Sequence, residues 1–283
     1  MPPKIIIYGF SASVYFYTIK NMKAYYSNIN NFKESTQGMK NLGFEERYAS
    51  YLERISPERK EHLLSFKNED DRLRSLAGSI LLTDIVKELR DTLSASDHLS
   101  ITNTASRSDA SSISGLSEKN IFDDCTKKYP GLFNITFPIR IKCEDIGKPY
   151  IAEAPDLKFS ISHSGSYAAV VTATSAECKS IGIDIQAKDR KNVLDIADRF
   201  YTRVETNIIQ SAVSNLEKEN LFYEIWSAKE AFIKCDGRGL SYGISNFNAD
   251  ITKNVITDLN GNVIATLKKQ ACPDGYACYV CYF

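Results

Sequence analysis

Two stretches of this 283-residue chain place carboxylates, an amide and an ammonium at spacings that could bind a cation. In the heptamer "SIGIDIQ" (180–186), isoleucines alternate with Gly182, Asp184 and Gln186. Residues two apart on a strand project to the same side, so Asp184 and Gln186 would present oxygens toward a common point, with Gly182 leaving room beside them. Taken alone, the pattern fits an ordinary strand with one solvated face better.

The second stretch, "NLFYEIWSAKEAFIKCDGRGL" (220–240), has helical periodicity. Glu230 and Lys234, four residues apart, share a face that differs from the apolar face, and Gly237 is typical of a helix C-terminus. Taken alone, Glu230 and Lys234 would be a surface ion pair worth a few tenths of a kcal/mol. Together, the two stretches supply carboxylates and an amide oxygen that suit Mg²⁺ held against a pyrophosphate.

The rest of the chain predicts helices, strands and turns that would position these residues. The stretch 56–90 predicts two helices with a break near Asn68, where Ser56 is the N-cap and Pro57 the first helical residue. The stretch 4–19 predicts a first strand. "SHSGS" (162–166) predicts a hairpin turn between two alternating apolar runs. The Ser- and Thr-rich residues 92–117 predict a mobile insertion, with a phosphorylated regulatory loop as the alternative.

Composition excludes several function classes. Lys plus Arg and Asp plus Glu both total 35, so no net field favours a nucleic acid partner. Seven scattered cysteines predict reduced thiols in the cytoplasm, and we find no apolar run long enough for a membrane span. The chain has neither the G-x-x-x-x-G-K-[ST] phosphate loop nor the G-x-S-x-G nucleophile elbow, which weighs against other phosphoryl-transfer and acyl-transfer enzymes.

The order and spacing of these motifs resemble the 4'-phosphopantetheinyl transferases, in particular the larger Sfp-type. Gly182-Ile183-Asp184, then Glu205, then "WSAKEAFIK" (226–234) match the family pattern in the same order. Upstream, "SPERKEHLLSFKNEDDRLRSLAG" (56–78) and "GKPYIAEAPDLKFSISHSG" (147–165) look like further family segments. The resemblance covers nearly the whole chain except 25–40 and 92–117, which look like insertions.

The resemblance implies an α+β fold with two pseudo-symmetric lobes, each a small, mostly antiparallel sheet packed on helices. The expected lobes are residues 1–178, including both insertions, and 179–283, which carry the metal site. The implied reaction is Mg²⁺- or Mn²⁺-dependent transfer of 4'-phosphopantetheine from coenzyme A to a serine of an acyl or peptidyl carrier protein. Adenosine 3',5'-bisphosphate is the product released.

Matching positions imply roles for individual residues. Asp184, Gln186 and Glu230 match the metal ligands, although many members have Glu where this chain has Gln186, a weaker and uncharged ligand. Glu205 matches the residue that assists deprotonation of the acceptor serine, and Lys234 matches a lysine that stabilises the leaving nucleotide. The residues matching coenzyme A contacts are Arg59, Arg74, Ser75, Lys148, Ser162, His163 and Lys234.

The expected partners are coenzyme A and a small acidic carrier domain, with no nucleic acid or membrane partner, and the protein is expected to be a monomer. The acceptor could be a fatty-acid, polyketide, peptide-synthetase or aminoadipate-reductase carrier. The docking candidate is "DRKNVLDIADRFYTR" (189–203), with these basic and apolar residues: Arg190, Lys191, Arg199, Arg203, Val193, Leu194 and Phe200. An amphipathic helix packed on the core would show the same pattern. The rival function, favoured only by Gln186, is a catalytically silent binding scaffold.

Overall fold

The computed structural model describes residues 22, 24–104, 131–144, 147–190 and 192–283. Its α-helices are α1 (Asn30–Ser35), α2 (Phe44–Arg47), α3 (Ala49–Leu52), α4 (Pro57–Leu64), α5 (Glu69–Thr104), α6 (Val193–Phe200), α7 (Arg203–Ser211) and α8 (Asn215–Asp236). Its strands are β1 (Tyr25–Asn28), β2 (Ile141–Cys143), β3 (Pro149–Ile151), β4 (Leu157–Ser164), β5 (Tyr167–Thr174), β6 (Ile181–Ala187), β7 (Phe247–Asp250), β8 (Val255–Asp258), β9 (Val263–Lys269) and β10 (Tyr276–Tyr282).

The strands form three antiparallel sheets. The first has the order β1-β5-β4, the second is the pair β2-β3, and the third has the order β6-β10-β9-β8-β7. Helix α5 packs on the first sheet, and α8 packs on β6 and β10 of the third. This arrangement of helices on antiparallel sheets confirms the predicted α+β class. The hairpin predicted around 162–166 is formed by β4 and β5.

The two helices predicted in 56–90 are confirmed as α4 and α5. Asn68 Oδ1 lies between them and accepts the backbone N–H of Asp70 at 2.8 Å, which caps the start of α5. Ser56 and Pro57 occupy the predicted N-cap and first helical positions, although the Ser56 side chain makes no capping hydrogen bond. The side chains of Leu73 and Leu76 are fully buried and fix one face of α5 in the core.

Helix α5 continues to Thr104, so the prediction of a mobile insertion is wrong for residues 92–104. Once a helix has formed, each added residue gains a backbone hydrogen bond, and this offsets the modest helix propensity of Ser and Thr. Residues 105–117 and the predicted first strand at 4–19 lie outside the described residues. Residues 25–40 are built into the fold, because β1 pairs with β5 and both Ile29 and Phe32 are buried.

A row of serine hydroxyls joins β4 of the first sheet to β6 of the third. Three alternate residues of β4 each accept a backbone N–H of β6: Ser160 from Ile183 at 3.1 Å, Ser162 from Ile185 at 3.2 Å and Ser164 from Ala187 at 2.9 Å. We call this row the serine ladder. Strand β6 is therefore held by the serine ladder on one side and by its pairing with β10 on the other.

Helix α8 crosses β6 at very close range. A Cβ atom at Gly182 would lie 2.1 Å from the Ala231 carbonyl oxygen and 2.4 Å from the Cys235 nitrogen, so only glycine fits here. The expectation that this glycine leaves room for a ligand is therefore wrong, because the helix backbone fills the space. Ser227 of α8 also donates to the Asp184 carbonyl at 2.9 Å. The close crossing brings α8 directly over the polar face of β6.

Candidate active site

Asp184 is the centre of the candidate site. Its side chain is 8% exposed, and Oδ1 accepts hydrogen bonds from Ser162 at 2.9 Å and from Lys234 at 2.8 Å. The other oxygen, Oδ2, is buried and has no donor among the described residues. A buried carboxylate oxygen without a donor is costly unless a ligand or ion completes its surroundings.

Glu230, a half-buried residue of α8, is a second carboxylate near Asp184. Its pKa is raised, first by loss of hydration and then by the charge of Asp184. The nearby cations Lys234 and Arg190 oppose that rise. No hydrogen bond to its carboxylate is formed within the described part of the chain. Two neighbouring carboxylates, one with a buried oxygen that has no donor and the other with no hydrogen bond among the described residues, are a favourable setting for a cation.

Gln186 is the third predicted ligand, and its amide nitrogen faces the protein. Nε2 donates to Ser164 Oγ and to the Ala187 carbonyl, both at 3.2 Å. The amide oxygen receives no hydrogen bond from the described residues. Among these residues, no group of three His, Cys, Asp or Glu side chains could hold a metal, since the third position here is an amide. Mg²⁺ needs only one or two carboxylates when phosphates supply other ligands, so the donor set fits it.

Glu205 is buried in the helical layer that packs on the third sheet. It is 1% exposed, and its Oε1 accepts from Lys229 Nζ at 2.5 Å and from the Ala249 backbone at 2.7 Å. Its Oε2 accepts the backbone N–H of Thr202 at 3.0 Å and completes a capping box at the start of α7. Glu205 makes no hydrogen bond to Asp184 or Glu230.

Lys229 is a buried residue that the sequence analysis did not single out. Its side chain is 0% exposed, and besides Glu205 it donates to the Phe247 carbonyl at 2.6 Å. The ammonium also lies 4.4 Å from the centre of the Phe247 ring. Loss of hydration lowers the pKa of Lys229, while the charge of Glu205 opposes that change. The T-x-x-E spacing of Thr202 and Glu205 is a sequence signal for this arrangement.

Lys234 pairs with Asp184, and His163 lies close enough to Lys234 to be affected by its charge. Lys234 Nζ donates to Ser162 Oγ at 2.7 Å, so Ser162 contacts both members of the ion pair. His163 is exposed. Its pKa is lowered by loss of hydration first and then by the positive charges of Lys234 and Arg74. The predicted contacts Ser162, His163 and Lys234 are thus brought together.

Lys148 faces the end of α8 instead of open solvent. Its ammonium donates to Ser180 Oγ, to the Ile181 carbonyl at 3.2 Å and to the Cys235 carbonyl at 2.7 Å. These three neutral acceptors use all three of its N–H groups. Cys235 is in the last turn of α8, where a cation is favourable beside unpaired carbonyls. Burial lowers the pKa of Lys148.

Arg74 also has protein partners. It donates to the Gly165 carbonyl at 2.8 Å and to Asp71 at 2.5 Å, so it holds the turn between β4 and β5 against α5. The positive charge of Arg74, a predicted phosphate contact, lowers the pKa of His163, and two of its five N–H groups are used in these protein contacts.

Arg59 and Ser75 form a separate cluster between α4 and α5. Arg59 donates to Ser75 Oγ at 3.1 Å and to Ser79 Oγ at 3.1 Å, and burial lowers its pKa. It forms no ion pair with a carboxylate of the described chain. A half-buried guanidinium with only neutral partners is able to receive an anion such as a phosphate.

The predicted docking segment, 189–203, contains both exposed and buried side chains. Leu194 and Phe200 are exposed, and Arg190 lies 5.2 Å from the centre of the Trp226 ring. Val193 is only 3% exposed, so its inclusion in a docking surface is wrong; it packs in the core below α6. Lys191 lies outside the described residues.

In the part of the chain that the structure describes, no helix has the length and apolar character needed to cross a bilayer.

Comparisons with known proteins agree with the resemblance of the motifs. The 4'-phosphopantetheinyl transferase superfamily matches residues 180–281. The 4'-phosphopantetheinyl transferase Sfp of Bacillus subtilis (strain 168) is 30% identical over 203 residues, which cover 72% of this chain and 68% of that protein. A second Bacillus subtilis 4'-phosphopantetheinyl transferase is 41% identical over 105 residues, 37% of this chain and 44% of that protein.

A vertebrate protein matches over a similar region. The L-aminoadipate-semialdehyde dehydrogenase-phosphopantetheinyl transferase of Xenopus laevis is 28% identical over 117 residues, which cover 38% of each protein. The match to this vertebrate protein and the match to the second Bacillus subtilis transferase each span less than half the length of the relative. The longer match to Sfp, with the family match over the third sheet and α8, shows that this chain belongs to the 4'-phosphopantetheinyl transferase superfamily, a family of transferase enzymes.

Proposed function

We propose that this protein transfers the 4'-phosphopantetheine arm of coenzyme A to a serine of an apo carrier protein, with Mg²⁺ or Mn²⁺ as the metal. The observation that carries the proposal is the pair of carboxylates, Asp184 and Glu230, which interact electrostatically with each other and with Lys234 while Asp184 Oδ2 is buried without a donor among the described residues. Anionic ligands alone would be repelled by this pair, whereas a metal and a pyrophosphate together would satisfy both the carboxylates and the ammonium.

Asp184 and Glu230 would hold the metal, with the amide oxygen of Gln186 as a neutral third donor. When bound, the metal neutralises negative charge on the pyrophosphate and on the leaving nucleotide. Lys234 would bind the same phosphates from the side of Ser162, and exposed His163 would add a hydrogen bond at the edge. Arg59 and Ser75, further along α4 and α5, would bind the 3'-phosphate end of coenzyme A.

The acceptor serine must lose its proton as it attacks the phosphorus that bears the pantetheine. Both oxygens of Glu205 already accept protein hydrogen bonds, and only 1% of the residue is exposed. We therefore propose that Glu205 assists this step as a positioning residue, by holding α7 and α8 in place beside the carboxylates that would bind the metal.

The carrier would dock beside this crevice, on the exposed basic and apolar side chains of α6. Leu194, Phe200 and Arg199 offer such contacts to an acidic helical surface. The carrier could belong to a fatty-acid, polyketide, peptide-synthetase or aminoadipate-reductase system. We further propose that the protein is a cytoplasmic monomer, in keeping with cysteines that are free throughout the described chain.

The test is intact mass spectrometry of a panel of apo carrier proteins after incubation with this protein, coenzyme A and Mg²⁺. We expect a gain of one phosphopantetheine arm with wild type and none with Asp184→Ala or Glu230→Ala. The alternative, a silent scaffold, is favoured only by the uncharged Gln186. Coenzyme A binding without a mass gain on any carrier would support that alternative and contradict the proposed reaction.

A further inference from the structure

Ser164, the last residue of β4, is left with an unused hydrogen-bond donor. Its Oγ accepts the backbone N–H of Ala187 at 2.9 Å and the Nε2 of Gln186 at 3.2 Å. A hydroxyl accepts at most two hydrogen bonds and donates one, so both acceptor positions are occupied. Its own O–H meets no acceptor within the described residues. Ser164 is half-buried, so a ligand can reach it.

Ser162, two residues earlier in the serine ladder, shows the opposite use of the same group. Its Oγ accepts from the backbone of Ile185 and from Lys234, and its proton goes to Asp184 Oδ1 at 2.9 Å. Ser162 is therefore fully occupied by the protein. Of these two serines, only Ser164 has a proton available for a ligand.

The position of Ser164 relative to the carboxylates fits an extended anion. Residues two apart on a strand lie about 7 Å apart on the same face, so Ser164 and Ser162 are separated by a distance that two linked phosphate groups can span with a hydrogen bond at each end. Its partner Gln186 stands likewise two residues from Asp184 on the neighbouring strand. Ser164 and Gln186 therefore place polar groups two residues further along β4 and β6 than Ser162 and Asp184.

We propose that the Ser164 hydroxyl donates a hydrogen bond to a phosphate oxygen of the ligand held at Asp184 and Glu230, and that Gln186 is the residue that keeps this proton available. The amide occupies Ser164 as a donor, so the serine proton must point elsewhere. A carboxylate at position 186 would accept that proton instead. This inference rests on the proposed function, since it assumes that the ligand is coenzyme A.

Calorimetric titration of coenzyme A with Mg²⁺, without any carrier protein, tests the proposal. Loss of a hydrogen bond to a charged group predicts that Ser164→Ala weakens binding roughly 10- to 100-fold. The matched control is Ser160→Ala, which removes the same kind of ladder bond, from Ile183, further along β4. We expect this control to bind coenzyme A like wild type. Equal affinities for Ser164→Ala and Ser160→Ala would overturn the proposal.

The Gln186→Glu background gives a second test that does not depend on one variant. There the serine proton is already directed to the carboxylate, so adding Ser164→Ala should change the affinity far less than it does in wild type. The same fold-loss in both backgrounds would contradict the role of Gln186. If Ser164→Ala does not fold, Ser164→Cys, a weak donor of similar shape, is expected to show the loss.

A wrong reaction and a wrong role for Ser164 give different experimental results. If wild type neither binds coenzyme A nor modifies any carrier, the proposed function falls and the role of Ser164 with it. If wild type binds coenzyme A and transfers the arm, but Ser164→Ala binds as tightly as Ser160→Ala, only the inference about Ser164 is wrong.

Discussion

Two regions of the third sheet and its helices each pair an acidic residue with a lysine of α8, and they differ in how many oxygens the protein satisfies. In the first region, Glu205 and Lys229 are 1% and 0% exposed, and both Glu205 oxygens accept hydrogen bonds. In the second, Asp184 pairs with Lys234, which is 31% exposed, and Asp184 Oδ2 is buried without a donor.

The difference shows that the identity of an ion pair does not decide its role. A fully satisfied buried pair fixes the fold, here by joining α7, α8 and β7. A pair in which one buried carboxylate oxygen has no donor, next to a second carboxylate, is stabilised when a cation binds there. Variants of the two lysines separate these two roles.

The largest expected effect is on stability at the buried pair. Lys229→Met leaves the Glu205 charge buried without its partner, which typically costs about 3–5 kcal/mol. Urea unfolding followed by circular dichroism measures this loss. The matched control is Lys234→Met on the same helix, where the lysine is 31% exposed and Ser162 still donates to Asp184, so we expect a smaller loss. Similar losses for both variants would remove the distinction between the two regions.

A smaller loss is expected at Lys148, which joins the segment before β3 to the end of α8. Lys148→Met removes one donor from each of the Ile181 and Cys235 carbonyls, although Ser180 still donates to the Cys235 carbonyl, which predicts a loss of about 1–3 kcal/mol in the free energy of unfolding. Coenzyme A affinity, measured on the same variant, distinguishes this structural role from the phosphate contact that the resemblance implies. A large loss of affinity with unchanged stability would favour the phosphate contact.

The smallest effect is the pH dependence contributed by His163. Its pKa in the free protein lies below the ordinary value near 6.5, so the imidazole is neutral at pH 7. A bound phosphate dianion raises that pKa, so binding takes up a proton and coenzyme A affinity rises as pH falls below neutral. His163→Gln should flatten this part of the profile, leaving only the titration of the phosphate itself. An unchanged slope in the variant would place His163 away from the phosphates.

The sequence predicts the second region better than the first. Strand alternation places Asp184 with Gln186, and the four-residue spacing places Glu230 with Lys234, because both patterns are local. Their meeting depends on the close crossing at Gly182, a long-range contact that no local pattern contains.

The roles of Glu205 and Lys148 illustrate the same limit. The capping box at Thr202 is readable from spacing, but burial of Glu205 against Lys229 requires the packing of three elements. Lys148 contacts residues 33 and 87 positions away in the chain, so its direction follows only from the folded arrangement. The serine spacing of 160–164 was visible in the sequence, yet its partner strand was not.

The most direct test of the central claim is Mn²⁺ binding followed by electron paramagnetic resonance, using two variants that each exchange a carboxylate for an amide. We predict that wild type binds Mn²⁺, that Asp184→Asn does not, and that Glu205→Gln still binds it whenever circular dichroism shows it folded. Retained binding in Asp184→Asn, or loss of binding in folded Glu205→Gln, would contradict the assignment of the cation to Asp184 and Glu230.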